Sequence, residues 1–178
     1  MPVPALSELL ARDPLVVVGI DPGTRSMGYG VVGRRRGAMM RVDHGAFRPP
    51  ADADVGARLC FLFERLRALF AHHAPDVISL EQTFFGKNPQ STLRIGEARA
   101  VVILAAGERS VPVVQYPTKT AKRSVTGAGS ADKALVQQMV AADLGLPSLP
   151  EPHDAADALA LALCALRDPA LDPRFALR

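Results

Sequence analysis

The sequence predicts an α/β protein with a mixed central sheet flanked by helices. Three observations carry that prediction. Two strand-length apolar runs, VVVGID at 16–21 and DVISLE at 76–81, are rich in β-branched residues and end in an acid. Between them the hydrophobic period changes. Leu59, Leu62, Phe63, Leu66, Leu69 and Phe70 recur at three- and four-residue steps, which makes one apolar helix face. Two further short apolar runs follow the first one, so the sheet begins as an antiparallel meander before the chain alternates strand and helix.

Each element has a local reason. Segments 28–34 and 39–47 read as the second and third strands, with turns at Pro22-Gly23 and around Gly37. Pro75 stops the first helix. Residues 76–80 form the next strand, ending at Glu81, and 82–89 has no periodicity and reads as a loop. Segment 91–108 is helical, and its centre, AVVILAAG, is apolar all round, as in a buried or interface helix. Residues 111–115 are a short strand and 119–124 a short helix. TGAGS at 126–130 is a turn, with Ser130 placed to cap a helix over 131–144. A proline-punctuated linker, LGLPSLPEP, leads to a last helix over 153–166. The expected division is an N-terminal extension at 1–14, one domain at 15–167 and a tail at 168–178.

Composition sets the class. The 178 residues are 48% hydrophobic and 22% charged, a globular balance that leaves little room for long disorder. The net charge of +3 and pI of about 9.2 permit a nucleic-acid partner without requiring one. The two cysteines, Cys60 and Cys164, fall in apolar helical patterns and read as buried thiols in a reducing compartment. Glu8, Arg12 and Asp13 interrupt any signal peptide, and no apolar run is long enough to span a bilayer. A cytoplasmic location is expected.

The chemistry lies where the acids fall. Asp21 and Glu81 each end a strand. If those strands pair in parallel, both carboxylates emerge at one sheet edge, where ligands of open α/β sheets gather. In HDAADALALAL, Asp154 and Asp157 are three apart at a helix start, so they share a face. Each acid alone reads equally as a solvated turn or a helix cap. Together they offer four hard oxygen ligands, suited to Mg²⁺ or Mn²⁺. Two such ions can clamp a phosphodiester for hydrolysis. A Gly-rich turn after an acid-ended strand also serves nucleotide binding, which stays open at this point.

The motifs GIDPGTRSMGYGVV, LEQTFFGKN, LRIGEARAVVILAA, the segment 116–133 and DAADALALAL resemble, in order and spacing, bacterial RuvC-type Holliday junction resolvases. The resemblance covers roughly 15–167. It implies a ribonuclease-H-like fold, a homodimer, and symmetric nicking of two opposing strands of a four-way DNA junction. It also implies two divalent cations per site and coupling to a branch-migration complex of RuvA and RuvB type. The family's four catalytic, metal-holding carboxylates fall on Asp21, Glu81, Asp154 and Asp157. Actin-like nucleotide-binding domains share the fold and a similar first turn, but they need more binding segments than this chain holds. A non-catalytic junction-binding module is the other alternative.

The remaining candidates concern DNA. Phe84 and Phe85 follow Glu81 in a loop, where an aromatic can wedge or stack on a base. The resemblance puts that role on Phe84. Lys119, Lys122, Arg123 and Lys133 lead through a Gly-rich turn, whose bare backbone lets a phosphate come close. The resemblance places Lys122 and Lys133 near the scissile strand. Lys87 and Arg94 extend the track, and Arg25 can also touch DNA backbone. Arg34, Arg35 and Arg36 read as a solvated hairpin tip. His153 reads as a surface histidine, with contact to a metal-bound water or the leaving group as the sharper alternative. The helix at 98–106 is the candidate dimer interface, and burial within the monomer is the other reading.

Overall fold

The structure, a computed structural model, describes residues 12–82 and 89–168. In chain order its elements are β1 (Leu15–Asp21), β2 (Met27–Arg35), β3 (Ala38–Phe47), α1 (Val55–His73), β4 (Val77–Gln82), α2 (Pro89–Gly107), β5 (Val113–Pro117), α3 (Thr118–Thr126), α4 (Lys133–Asp143) and α5 (His153–Arg167). The strands lie in the order β3-β2-β1-β4-β5. β1–β2 and β2–β3 pair antiparallel, while β1–β4 and β4–β5 pair parallel. This is the mixed sheet expected from the meander and the alternating segments. One consequence governs everything below. The carboxyl ends of β1, β3, β4 and β5 all emerge at the same edge.

The sheet separates two hydrophobic layers. Alternate strand residues point to opposite faces, so Leu15, Val17 and Val77 pack with α3, α4 and α5. Val18, Ile20, Ile78 and Leu80 pack with α1 and α2. With both faces covered, β1 and β4 need a near-continuous apolar run, which is what the sequence supplies. On the α1 side the core is made of bulk: Leu62, Leu66 and Phe70 are fully buried, and each such side chain contributes about 1.5–3 kcal/mol of burial. Asp54 caps α1 by accepting from the Ala57 amide at 2.8 Å.

Several local expectations change. The α4 cap is Asp132, whose carboxylate accepts from the Leu135 amide at 2.8 Å, rather than Ser130. Both residues suit a cap, but the helix starts at Lys133. The short helix at 119–124 extends to 118–126, and the strand expected at 111–115 sits two residues later. Gln82 ends β4 instead of opening a loop. Cys60 is exposed while Cys164 is buried. The apolar α1 pattern hides that Cys60 falls just off the buried face of Leu62, Leu66, Leu69 and Phe70. Burial pushes the Cys164 thiol up to about 11. The hairpin tip runs through Arg36 and Gly37, both at positive φ, which fits a two-residue hairpin turn. Arg35 and Arg36 are exposed there, but Arg34 folds back and donates to the Leu166 carbonyl at 3.4 Å. Among the described residues, no helix is long and apolar enough to cross a membrane.

Candidate active site

Strand register brings the first two acids together. Ile20 lies opposite Leu80 in the parallel β1–β4 pair, so Asp21 sits beside Glu81 at the strand ends. Both belong to the α5 face of the sheet. Asp21 follows the parity of Val17 and Gly19, and Glu81 that of Val77 and Ser79. The Ser79 hydroxyl donates to the Leu161 carbonyl of α5 at 2.8 Å, which ties β4 to that helix.

Helix α5 lies unusually close to the sheet. A Cβ on Gly19 would come within 1.9 Å of the Ala158 carbonyl oxygen, and one on Gly28 within 2.1 Å of the Asp154 carbonyl oxygen. Only glycine permits that approach. The buried side of α5 is correspondingly small, with Ala155, Ala158 and Ala162 fully buried. The first turn of α5 therefore comes down on the edge carrying Asp21 and Glu81. It carries Asp154 and Asp157 on one face.

A small pocket results, lined among others by Asp21, Glu81, Thr118, Lys122 and Asp157. Asp21 and Glu81 share a hydrogen bond. Burial pushes the Asp21 carboxyl up to about 8, and the charges of Glu81, Asp157 and Asp154 push the same way. Burial also raises Asp157, while Lys133 and Lys122 pull it back and Glu81 and Asp154 push it up. Glu81 is held from two sides. The Thr118 hydroxyl donates to its carboxylate, and the Arg99 guanidinium donates to its backbone carbonyl and to the Gln115 side chain. Asp154 stands at the margin of the pocket, where its carboxylate accepts from the Ser26 hydroxyl at 2.5 Å.

The donor set fits a divalent cation in its chemistry. Four carboxylates face one edge, and Asp21 among them is held up first by burial and then by the charge of its neighbours, both of which a hard cation would offset. The side chains do not yet form a closed cage. Among the described residues, no three acid, histidine or cysteine side chains stand close enough together to hold a metal ion. The reason is visible in the contacts. Asp154 is turned to Ser26, Glu81 to Thr118, and Asp157 to Lys133 at 3.6 Å.

The predicted cations divide. Lys122 faces the acid pocket and donates to the Ala131 carbonyl at 2.8 Å. Lys119 and Lys122 line a second, more open pocket with Pro117, Thr118 and Gly129. Lys133 is exposed and reaches Asp157, and Arg123 is exposed on α3. Arg94 is exposed near the start of α2, away from the acid pocket's lining. His153 is exposed at the first position of α5 and is not among the pocket's lining residues. Phe84, Phe85 and Lys87 lie outside the described residues. Sequence reasoning missed Ser26, Arg99 and Thr118. Thr118 sits two residues past Tyr116, the β5 partner of Glu81, but that signal needs the β4–β5 register.

An α/β chain that gathers carboxylates from two parallel strand ends and a helix start, with lysines beside them, has the make-up of a metal-dependent phosphodiester hydrolase. The comparisons narrow the class. The family model described as "Crossover junction endodeoxyribonuclease RuvC" matches residues 17–165. A crossover junction endodeoxyribonuclease RuvC of Chloroflexus aggregans is 46% identical over 147 residues, covering 83% of this chain and 90% of that protein. Thermus thermophilus RuvC superposes with a TM-score of 0.77 at 30% identity, over 91% of this chain and 98% of that one. The T. thermophilus RuvC in complex with Holliday junction substrate gives 0.75 at 29% identity, over 84% and 91%. The chain belongs to the RuvC family of crossover junction endodeoxyribonucleases, and its fold is the ribonuclease-H-like one.

Proposed function

We propose that this chain is a structure-selective, metal-dependent endonuclease. It resolves four-way DNA junctions by nicking two opposing strands symmetrically, in homologous recombination and DNA repair. One observation carries the reading. In a chain 46% identical to a crossover junction endodeoxyribonuclease, Asp21, Glu81 and Asp157 line one pocket with Lys122 at the carboxyl edge of the sheet.

The residues divide the work. Asp21, Glu81, Asp154 and Asp157 are the carboxylates that hold two Mg²⁺ or Mn²⁺ ions. Bound there, the ions supply activation of water and stabilisation of the leaving oxygen. Thr118 and Arg99 fix Glu81, and Ser26 holds Asp154 until it turns inward. Lys122 and Lys133 neutralise the scissile phosphate and the charge that develops on it. His153, at the helix start, is within one residue of Asp154 and is a candidate for contact with the leaving group or water. Lys119, Arg123, Lys87 and Arg94 carry flanking backbone, and Phe84 or Phe85 meets the bases at the crossover.

Two sites are needed for paired nicks, and a two-fold dimer supplies them. Helix α2 suits the interface. Ala98, Val102, Ala105 and Ala106 face the core, while Leu93 and Leu104 are 65% and 58% exposed on the outside. The buried face packs within the monomer, and the exposed leucines are what supports the interface reading. Residues 15–167 form the nuclease domain, flanked by 1–14 and 168–178. A branch-migration complex of RuvA and RuvB type is the expected partner and the cytoplasm the expected location.

A nicking assay tests the proposal. Wild type and Asp154→Asn are placed on a mobile four-way junction and a matching linear duplex, with Mg²⁺, Mn²⁺ or EDTA. Paired nicks confined to the junction are expected with metal, and they fall by at least ~10²-fold in the variant, the scale of losing one catalytic group. Tight junction binding with no nick under either metal would leave a binding module instead.

A further inference from the structure

A third pocket lies at the same edge of the sheet, on the α1 side. It is lined by Arg25, Arg48, Pro49, Ala51 and Arg58. Three guanidinium groups share it, contributed by the β1–β2 turn, the residue after β3 and the first turns of α1. Among the described residues, none of the three forms an ion pair. Asp54, one turn before Arg58, is committed to capping α1 at the Ala57 amide. Three cations around one pocket without a counter-charge make it a place for an anion to enter.

The groups are also prepared for one. Arg58 is half-buried, and its Nη2 donates to the Ala51 carbonyl at 2.6 Å, which fixes the guanidinium plane. Its Nε is shielded from solvent and has no hydrogen-bond partner among the described residues. A shielded donor of a charged group without an acceptor is costly. Arg25 and Arg48 are exposed, and a guanidinium carries several donors in a planar fork that suits phosphate oxygens.

Position decides which phosphate. Asp21 and Glu81 face α5, whereas this pocket lies toward α1, so it does not hold the scissile group. β3 is two strands from β1, roughly 10 Å at ordinary inter-strand spacing. The Lys119–Lys122 pocket opens at the end of β5 and shares Thr118 and Lys122 with the acid pocket. In strand order the acids of β1 and β4 thus have arginines on the β3 side and lysines on the β5 side. We infer that Arg25, Arg48 and Arg58 form a backbone subsite that grips a DNA phosphate remote from the cut. The inference rests on the junction-nicking reading and joins Arg48 and Arg58, which no motif marks, to Arg25, which the sequence already offers as a backbone contact. These are positioning residues, which set affinity and register while the acids set the rate.

The test uses the full chain and a labelled four-way junction bound in EDTA over a salt series. Arg25→Gln/Arg48→Gln is the variant, since both side chains are exposed and leave the core intact. Thermal melting confirms its fold. Binding weakens about tenfold, and the slope of log K against log salt falls by about 0.9, one phosphate contact. Arg48→Lys retains most of the slope. Unchanged affinity and slope in the double variant, with wild type binding the junction normally, overturns the subsite and leaves the nuclease reading standing. Failure of wild type itself to bind the junction overturns both. Inorganic phosphate is the remaining arm. It competes no better than chloride at equal ionic strength, and specific competition lost in the double variant would make this a small-anion pocket and overturn the backbone assignment.

Discussion

The two faces of the sheet are packed by opposite means. Against α1 and α2 the contact is made by large side chains, with Leu62, Leu66, Phe70, Ile20 and Met27 filling the layer. Against the start of α5, beside the acids, it is made by main chain, since Gly19 and Gly28 face the Ala158 and Asp154 carbonyls with no room for a methyl group. Leucine and phenylalanine layers tolerate small shifts, because rotamers absorb them. Main-chain contact tolerates almost none. The acids sit on the second kind of face. The difference separates stability, carried largely by bulk, from geometry, carried by close approach.

The sharpest way to break this contrast is one methyl group. Gly19→Ala puts a carbon against the Ala158 carbonyl and lifts α5 from β1. The expected loss is about 3 kcal/mol or more, read by denaturant melts, with nicking reduced further than the unfolded fraction explains. An equal loss from thinning the bulky layer, as in Leu66→Ala at about 2–5 kcal/mol, should leave the activity per folded molecule nearly unchanged. If both variants lose activity only in proportion to folded protein, the contrast fails.

The second test uses charge. Asp21 has its folded pKa raised to about 8 from 3.8. A raised carboxyl binds its proton more tightly when folded. Without metal it therefore destabilises the fold progressively as pH rises from about 4 to about 8, and the penalty is constant above that. The full effect is on the order of several kcal/mol. Thermal melts in EDTA should show the decline in wild type and a much flatter profile in Asp21→Asn. Mg²⁺ or Mn²⁺ should restore wild type at pH 8 and do little for the variant. A flat wild-type profile in EDTA would mean that the acids do not crowd one another.

The smallest effect is a gain. Gly96 lies inside α2, where a Cβ would meet nothing within 4 Å. Gly96→Ala should stabilise the monomer by about 0.5–1 kcal/mol through helix propensity, read in melts dilute enough to separate the proposed dimer. The same glycine-to-alanine change thus carries opposite signs on the two sides of the sheet.

Much of this was legible in the residues. The acid-ended strands, the meander and the period change define the sheet, because apolar runs and alternation are local signals. Strand parity even implies that Asp21 and Glu81 share a face once the pairing is parallel. What could not be read depends on long-range contact. Ser26 reaches Asp154 across 128 residues, and Thr118 reaches Glu81 across 37. Nothing near Ser26 or Thr118 in the sequence signals those partners. The glycines of β1 and β2 read as strand and turn residues, and only the docked helix explains why they cannot carry a side chain. Ser130 and Asp132 are equally good caps on paper, and the choice fell to where the chain enters α4. Cys60 reads as buried in the sequence because an apolar helix pattern does not by itself say where its stripe ends.

The hydroxyl of Ser79 has a role that this packing makes necessary. Where it rests on the glycines of β1 and β2 the helix is smooth, and at that end fewer side-chain knobs stop it from sliding along its own axis. A slip of one residue is only about 1.5 Å, yet it rotates the helix by roughly 100°. Asp157 would then leave Glu81 altogether. Ser79 is fully buried, two residues before Glu81, and its bond lands on Leu161, four residues after Asp157. It works as a latch between strand and helix, one turn behind the acids, and it holds the axial register that close approach alone leaves free.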